Sequence, residues 1–310
     1  MQSSCSYKAI LIGNGTMGER HKRLLEADGV EFIGVADTAA EASALFEQIA
    51  AGKLTPDFAV IASPAVTHDE YVKKCIETNL PVLMEKPVSV SGMDALEYQK
   101  LALERGAFVF VGHSERFNPA IEEFAKTDFC KEMQEYLKFW YLRKQDASPV
   151  SFKFTRTHGF SPRNRDVSVE YDLMIHDMDL LCHFVDKNAL MYKSLHCEDV
   201  SDDRVHAFYD FGTLKAEFIA DRNSASDSRT LEISMNGRSV TLDLGAYRKE
   251  SPAYALQKEH QAFLNCLSSY KNAAQDDVPE CGWYRAFYDA CYAVALVSLI
   301  GELYKKRVSE

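Results

Sequence analysis

Lys8-Ala9-Ile10-Leu11-Ile12-Gly13-Asn14-Gly15-Thr16-Met17-Gly18 decides how the N-terminal part of this chain is read. A short apolar run enters G-x-G-x-x-G, and a helical stretch from Glu19 to Ala27 follows directly. Strand, glycine loop and helix in that order are what a dinucleotide-binding turn requires. Gly13, Gly15 and Gly18 allow a tight turn, close backbone approach to a pyrophosphate and close packing of helix on strand. The helix N-terminus favours the phosphate charge. A second apolar run, Glu31 to Ala36, ends at Asp37, nineteen residues after Gly18. An acid there accepts hydrogen bonds from a ribose 2′-hydroxyl and repels a 2′-phosphate, so the expected cofactor is NAD rather than NADP.

The alternation continues outward from this stretch. Phe58 to Ala62 leads to Ser63-Pro64, and Thr67 with Glu70 predicts a capping box opening a helix to about Thr78. Pro81 to Met84 reads as a buried strand that runs into Glu85-Lys86-Pro87. A helix from Ser91 to Arg105 and the run Ala107 to Gly112 follow. Short apolar strands separated by helices predict a doubly wound parallel sheet covered on both faces. Ser63-Pro64, Glu85-Lys86 and His113 then share the carboxyl edge of the glycine loop, where open parallel sheets bind their ligands.

After Arg116-Phe117-Asn118-Pro119 the pattern changes. A helix of about ten residues precedes Glu135 to Arg143, which reads as a strand. Val205 to Asp221 and Thr230 to Leu244 read as hairpins, the second with an Asn236-Gly237 type I′ turn. This half is expected to be an α+β domain, with residues 1–119 and 120–310 as the two domains. Amphipathic helices from about Pro252 to Tyr270 and about Trp283 to Lys306 close the chain.

Within Tyr171 to His183, Asp172, His176, Asp179 and His183 fall in a stripe roughly 60° wide at helical spacing. Leu, Met, Ile and Cys fill most of the remaining circumference. So narrow a polar stripe predicts a buried helix whose polar side faces a cleft. Asp177 lies off the stripe, without an assigned role. A carboxylate and an imidazole one turn apart can also share an ion. Oxidation of an alcohol needs no metal where a base is available, so no metal is expected.

Composition sets limits. At 310 residues, with 46% apolar and 26% charged residues, the chain is long enough for two globular domains. A net charge of −11 argues against a nucleic-acid surface, so an anionic ligand must be held by local cations or helix N-termini. No apolar run approaches a membrane span, and the first residues lack a signal peptide's apolar core. The eight cysteines are scattered, without metal-finger spacing. A cytoplasmic protein with reduced thiols is expected.

These residues resemble the Gfo/Idh/MocA family of nicotinamide-dependent sugar and polyol oxidoreductases. The resemblance is carried by Gly13 to Gly18 with His21, Ser63-Pro64 with His68, Glu85-Lys86-Pro87, and Asp172 with His176. It implies a Rossmann domain followed by an α/β domain with a large open sheet, commonly a homodimer or homotetramer through that sheet. It further implies Lys86, Asp172 and His176 as catalytic residues and Glu85 near the nicotinamide end of the cofactor. Asn14, Thr16, Met17, Ser63, Pro64, His68, Lys86 and Pro87 would join the cofactor site.

Gly112 to Ala120 and Asp172 to Asp177 look like segments of UDP-N-acetylglucosamine 3-dehydrogenases and related nucleotide-sugar enzymes. The chain departs at Glu170-Tyr171, where many members carry a glycine pair. Arg163 and Arg165, with Arg116 behind them, are the candidate cations for a UDP-sugar, and Asn118 and Tyr171 are further substrate candidates. The expected reaction is reversible hydride transfer between NAD and a sugar ring carbinol. His176 is then the base, Lys86 steadies the oxygen and Asp172 orients the imidazole or the substrate; the reverse assignment, Lys86 as base, stays open. A free sugar or polyol such as inositol is the alternative substrate. A non-catalytic sensor that binds a dinucleotide or sugar is the alternative class.

Overall fold

The computed structural model describes residues 7–139, 149–161, 165–185, 189–212, 214–249, 251–272 and 282–309. The chain divides into two units, Met1–Gly112 with Glu259–Cys291, and His113–Lys258 with Tyr292–Glu310.

In the first unit, β1 (Lys8–Ile12), β2 (Glu31–Ala36), β3 (Phe58–Ile61), β4 (Val82–Glu85) and β5 (Val109–Gly112) form a sheet of order β2-β1-β3-β4-β5. Every pairing in it is parallel. Helices α1 (Thr16–Ala27), α2 (Ala39–Ala50), α3 (His68–Glu77) and α4 (Gly92–Arg105) alternate with the strands. Residues 9–12, 58–61 and 82–84 are buried whichever face they occupy, as a sheet covered on both sides demands. The strand order reverses beside β1, and the glycine loop leaves its carboxyl end at this switch point.

The capping box expected at Thr67 does not form. A 3₁₀ turn, Ala65–Thr67, takes up that position, and Thr67 has helical rather than extended backbone. Its hydroxyl donates instead to the Pro64 carbonyl at 2.7 Å. The capping box present in this unit joins Thr38 and Glu41 at the start of α2.

The second unit opens with α5 (Pro119–Lys126) and α6 (Asp128–Lys138). The strand expected from Glu135 is therefore corrected to helix as far as Lys138; residues 140–143 lie outside the described residues. Cys130, Met133, Tyr136 and Leu137 are buried at helical spacing, and Thr127 caps the first turn by accepting from the Cys130 amide. That face, spread over eight residues, outweighs the aromatic run that reads as β.

Strands β6 (Val150–Thr157), β7 (Ser194–Val200), β8 (Arg204–Asp210), β9 (Leu214–Asp221), β10 (Ser228–Met235) and β11 (Arg238–Asp243) form a sheet of order β11-β10-β6-β9-β8-β7. Only β6 and β9 pair in parallel; the other pairings are antiparallel. Phe154 and Phe218 stack across this parallel pair, with ring centroids 5.0 Å apart. Asn236 and Gly237 have φ of 53° and 74°, the two positive values of the expected type I′ turn. Before the helix α7 (Ile175–Phe184), residues Glu170–Met174 wind as a π-helical turn.

The helices α8 (Tyr254–Asn272) and α9 (Gly282–Ser309) close the chain. The first unit ends seven residues before the expected boundary at 119 and regains Glu259–Cys291. The reason is aromatic: Phe263 packs on Phe58, Phe108 and Phe110, with centroids 4.9, 5.8 and 5.7 Å away. In α9, Tyr284–Tyr304 has a mean hydropathy of 1.4 and is long and apolar enough to cross a membrane, contrary to the expectation of no such run. Half of that window is buried in the fold. Cys75, Cys130, Cys182, Cys197, Cys266 and Cys291 are free thiols.

Candidate active site

The glycine loop is fixed by what its neighbours exclude. Gly13 has φ +91°, and a Cβ there would stand 2.4 Å from the Ser63 amide nitrogen. A Cβ at Gly18 would stand 1.9 Å from the Gly13 carbonyl oxygen, so α1 can begin this close only on glycine. At Gly15 nothing lies within 4 Å of the Cβ position. That open cradle adjoins the first amides of α1, which no side chain caps. The Asn14 amide donates to Asp37 Oδ1 at 2.8 Å, which brings the acid at the end of β2 against the loop. An open glycine turn and an acid against it are both present, and these residues fit a dinucleotide.

His68 is buried, with Nδ1 2.6 Å from the Pro87 carbonyl oxygen and Nε2 3.0 Å from that of Ser63. It ties together the turns that follow β3 and β4. At the end of β4, Glu85 Oε1 accepts from His21 Nε2 at 2.9 Å and Oε2 accepts from the Lys86 amide at 3.2 Å. Burial opposes ionisation of Glu85, but the His21 bond and the Lys86 charge outweigh it and lower its pKa. Lys86 itself is half-buried, and the Lys86–Pro87 peptide is cis.

In the second unit, Asp172 lies buried in the π turn, and Arg222 Nη1 stands 3.6 Å from its Oδ2. Arg222 is held in turn by Asp203 at 2.7 Å and the Val167 carbonyl at 3.0 Å. His176 sits half-buried in the first turn of α7, edge-on to the His113 ring at 6.4 Å. The π turn breaks the uniform helical register on which the four-residue stripe was drawn. Asp179 is 1% exposed and takes two bonds from Arg116, at 2.7 and 2.5 Å, while His183 is exposed. Asp177 has a partner too: Arg156 grips it at 3.0 and 2.6 Å. Arg156 also reaches Glu115 at 3.0 Å, and Arg248 joins Glu115 at 2.6 Å. Burial opposes ionisation of Glu115, but Arg156 and Arg248 outweigh it and hold the carboxyl at about 2.

The substrate candidates prove to be well bonded. Arg116 is engaged by Asp179, and Arg165 by Asp203 at 2.8 Å and Asn223 at 3.2 Å. Asn118 is fully buried, caps α5 and donates to Glu115 and the Leu244 carbonyl. The Tyr171 hydroxyl donates to Ser298 Oγ at 3.1 Å. Arg163 lies outside the described residues. Sequence reasoning missed Glu115, Arg156, Arg222, Glu259 and His260. One signal was available: Arg156 continues the inward alternation Val150, Phe152, Phe154, and a cation in that register demands buried acids.

Residues 7–113 match the Gfo/Idh/MocA oxidoreductase family, NAD-binding Rossmann fold. That family match applies to residues 7–113, about a third of the chain. The UDP-N-acetylglucosamine 3-dehydrogenase of Acidithiobacillus ferrooxidans is 28% identical over 179 residues, covering 55% of this chain and 51% of that enzyme. The inositol 2-dehydrogenase of Mycolicibacterium smegmatis is 28% identical over 125 residues, covering 40% of this chain and 33% of that enzyme. The aligned stretch thus spans about half the length of the first relative and a third of the second. A likeness of fold to solved structures extends over both units. That of the Acidithiobacillus ferrooxidans enzyme GnnA superposes with a TM-score of 0.68 at 21% identity, covering 94% of this chain and 97% of its own. The WlbA (WbpB) dehydrogenase from Thermus thermophilus, in complex with NAD and UDP-GlcNAcA, gives 0.64 at 13% identity, covering 94% of both chains.

Proposed function

We propose that this chain catalyses reversible hydride transfer between NAD and a ring carbinol of a sugar, with Lys86, His176 and Asp172 handling the hydroxyl. The observation that carries this reading is Glu85-Lys86-Pro87 closing β4 of a Gfo/Idh/MocA NAD-binding domain, with Glu85 fixed by His21 at 2.9 Å beside a half-buried lysine. Bound NAD supplies the hydride acceptor. His176 takes the hydroxyl proton, since imidazole is the side chain whose ordinary pKa lies nearest neutrality. Lys86 donates to the same oxygen and stabilises the negative charge that develops there. Asp172 orients the imidazole or the substrate, its charge offset by Arg222 at 3.6 Å.

The first substrate reading is a nucleotide sugar such as UDP-N-acetylglucosamine, oxidised at the 3-position, supported by the name of the first relative above. A free polyol such as inositol is the second reading, and one observation favours it. Arg116 and Arg165, the cations expected for a diphosphate, already bond Asp179 and Asp203. Both readings take the protein as a cytoplasmic homodimer or homotetramer that assembles through the sheet of the second unit.

Absorbance of the reduced cofactor decides among them. Turnover of NAD with UDP-N-acetylglucosamine supports the first, and turnover with myo-inositol alone moves the assignment to the second. Tight NAD binding without turnover on any sugar overturns the catalytic reading in favour of a sensor.

A further inference from the structure

Beside the His21–Glu85 bond, the first unit holds two further buried ionisable groups, Glu259 and His260, that this chemistry does not use. His21 on α1 is 1% exposed, and Glu259 and His260 on α8 are 0% exposed. One ring nitrogen from each histidine and one carboxylate oxygen of Glu259 lie within 4.8 Å of one another. We propose that His21, His260 and Glu259 form a structural site for a divalent transition metal of the zinc class, with Glu85 supporting His21 from behind.

The strongest argument is Glu259. Neither of its carboxylate oxygens has a hydrogen-bond partner among the described residues, although both are buried. A buried carboxyl without donors is costly unless a cation meets it. The fold makes room for this one: a Cβ at Gly112 would stand 3.0 Å from Glu259 Oε1.

The histidines are prepared in the complementary sense. Glu85 accepts from His21 Nε2, so His21 Nδ1 accepts a hydrogen bond from His260 Nε2 at 2.8 Å, and a metal ion would take the place of that shared hydrogen. A carboxylate behind a histidine is the arrangement that fixes the tautomer of metal-bound imidazoles.

Two imidazoles and a carboxylate suit zinc, whereas calcium and magnesium require more oxygens. Nitrogens on a tetrahedral zinc stand about 3.3 Å apart. The two rings would therefore part by about half an ångström, and the Glu259 carboxylate would close in through its side-chain torsions. Glu259 can bind through one oxygen or both, giving three or four protein donor atoms. Such an ion would staple α1, the end of β4 and α8. The alternative, a proton shared by the two histidines, leaves Glu259 without a partner.

The test is metal analysis of the full chain, purified without an affinity tag, loaded with Zn²⁺ and dialysed into metal-free buffer. The proposal expects about one zinc per chain and a melting temperature that falls when a chelator removes it. His260→Leu and Glu259→Gln should each lose the zinc while circular dichroism reports an intact fold. If a variant fails to fold, wild-type chain loaded with Co²⁺ should show the visible bands of tetrahedral cobalt. Wild-type chain retaining under about a tenth of a zinc, or zinc retained by both variants, overturns the site. So does a melting temperature indifferent to zinc and chelator, the mark of a shared proton only.

Discussion

His21 Nε2 donates to Glu85 Oε1 at 2.9 Å, and this bond joins the helix that follows the glycine loop to the strand end that carries Lys86. One interaction thereby ties α1 to the end of β4, next to Lys86.

Removing the donor should cost stability. His21→Ala leaves a largely buried carboxylate short of a partner, with an expected loss of about 1–3 kcal/mol in urea unfolding. The double change His21→Ala with Glu85→Ala should cost less than the sum of the two single changes. Additive losses would show that the pair is not coupled.

Asp37→Ala should relax the choice of cofactor. The acid bonds the Asn14 amide beside the loop, and the proposed reading has it accept from a ribose hydroxyl and repel a 2′-phosphate. Calorimetry should show the NAD preference over NADP falling by about tenfold or more. An unchanged ratio would refute the ribose role.

Acid should unfold the second unit through Glu115. Its pKa falls from the ordinary 4.5 to about 2, so the folded chain holds this proton less tightly than the unfolded chain. The stability it contributes is complete above about 4.5 and is lost as pH falls towards 2. A shift of that size corresponds to about 3 kcal/mol at most. In Glu115→Gln, urea midpoints should lose this component of their decline over that window; an identical acid limb would contradict the assignment.

Arg156→Met should be worse than most core substitutions. It leaves Asp177 and Glu115, 3% and 1% exposed, without their shared cation. Breaking a buried pair on one side costs about 3–5 kcal/mol. A loss below about 1 kcal/mol in urea unfolding would mean that water compensates the acids.

The fold of the first unit was legible because its signals are local. Strand period, glycine spacing and the acid after β2 all lie within one strand–helix–strand stretch. The ion network was not legible, because its partners are far apart in sequence. Arg156 and Asp177 are 21 residues apart, and Glu115 and Arg248 are 133 apart. Asp177 therefore looked idle on a helical wheel although it is one of the most firmly held acids in the second unit. The wheel also failed at Asp172, because a π turn adds a residue to the turn without a sequence signature. At Glu135 the aromatic run was read as β, when the face formed by Cys130, Met133 and Leu137 decides for helix. Glu259 and His260 gave no warning, since an acid and a histidine on an amphipathic helix read as its solvated side.

The central claim is that Lys86 and His176 act on one hydroxyl. It is tested most directly by the rate of NAD reduction in Lys86→Ala and His176→Ala with the best sugar substrate, alongside NAD affinity. Each change should cut turnover by about 10²–10⁴-fold and leave the Kd for NAD within about twofold, because neither residue belongs to the glycine loop or the ribose acid. Turnover that survives both changes would contradict the account.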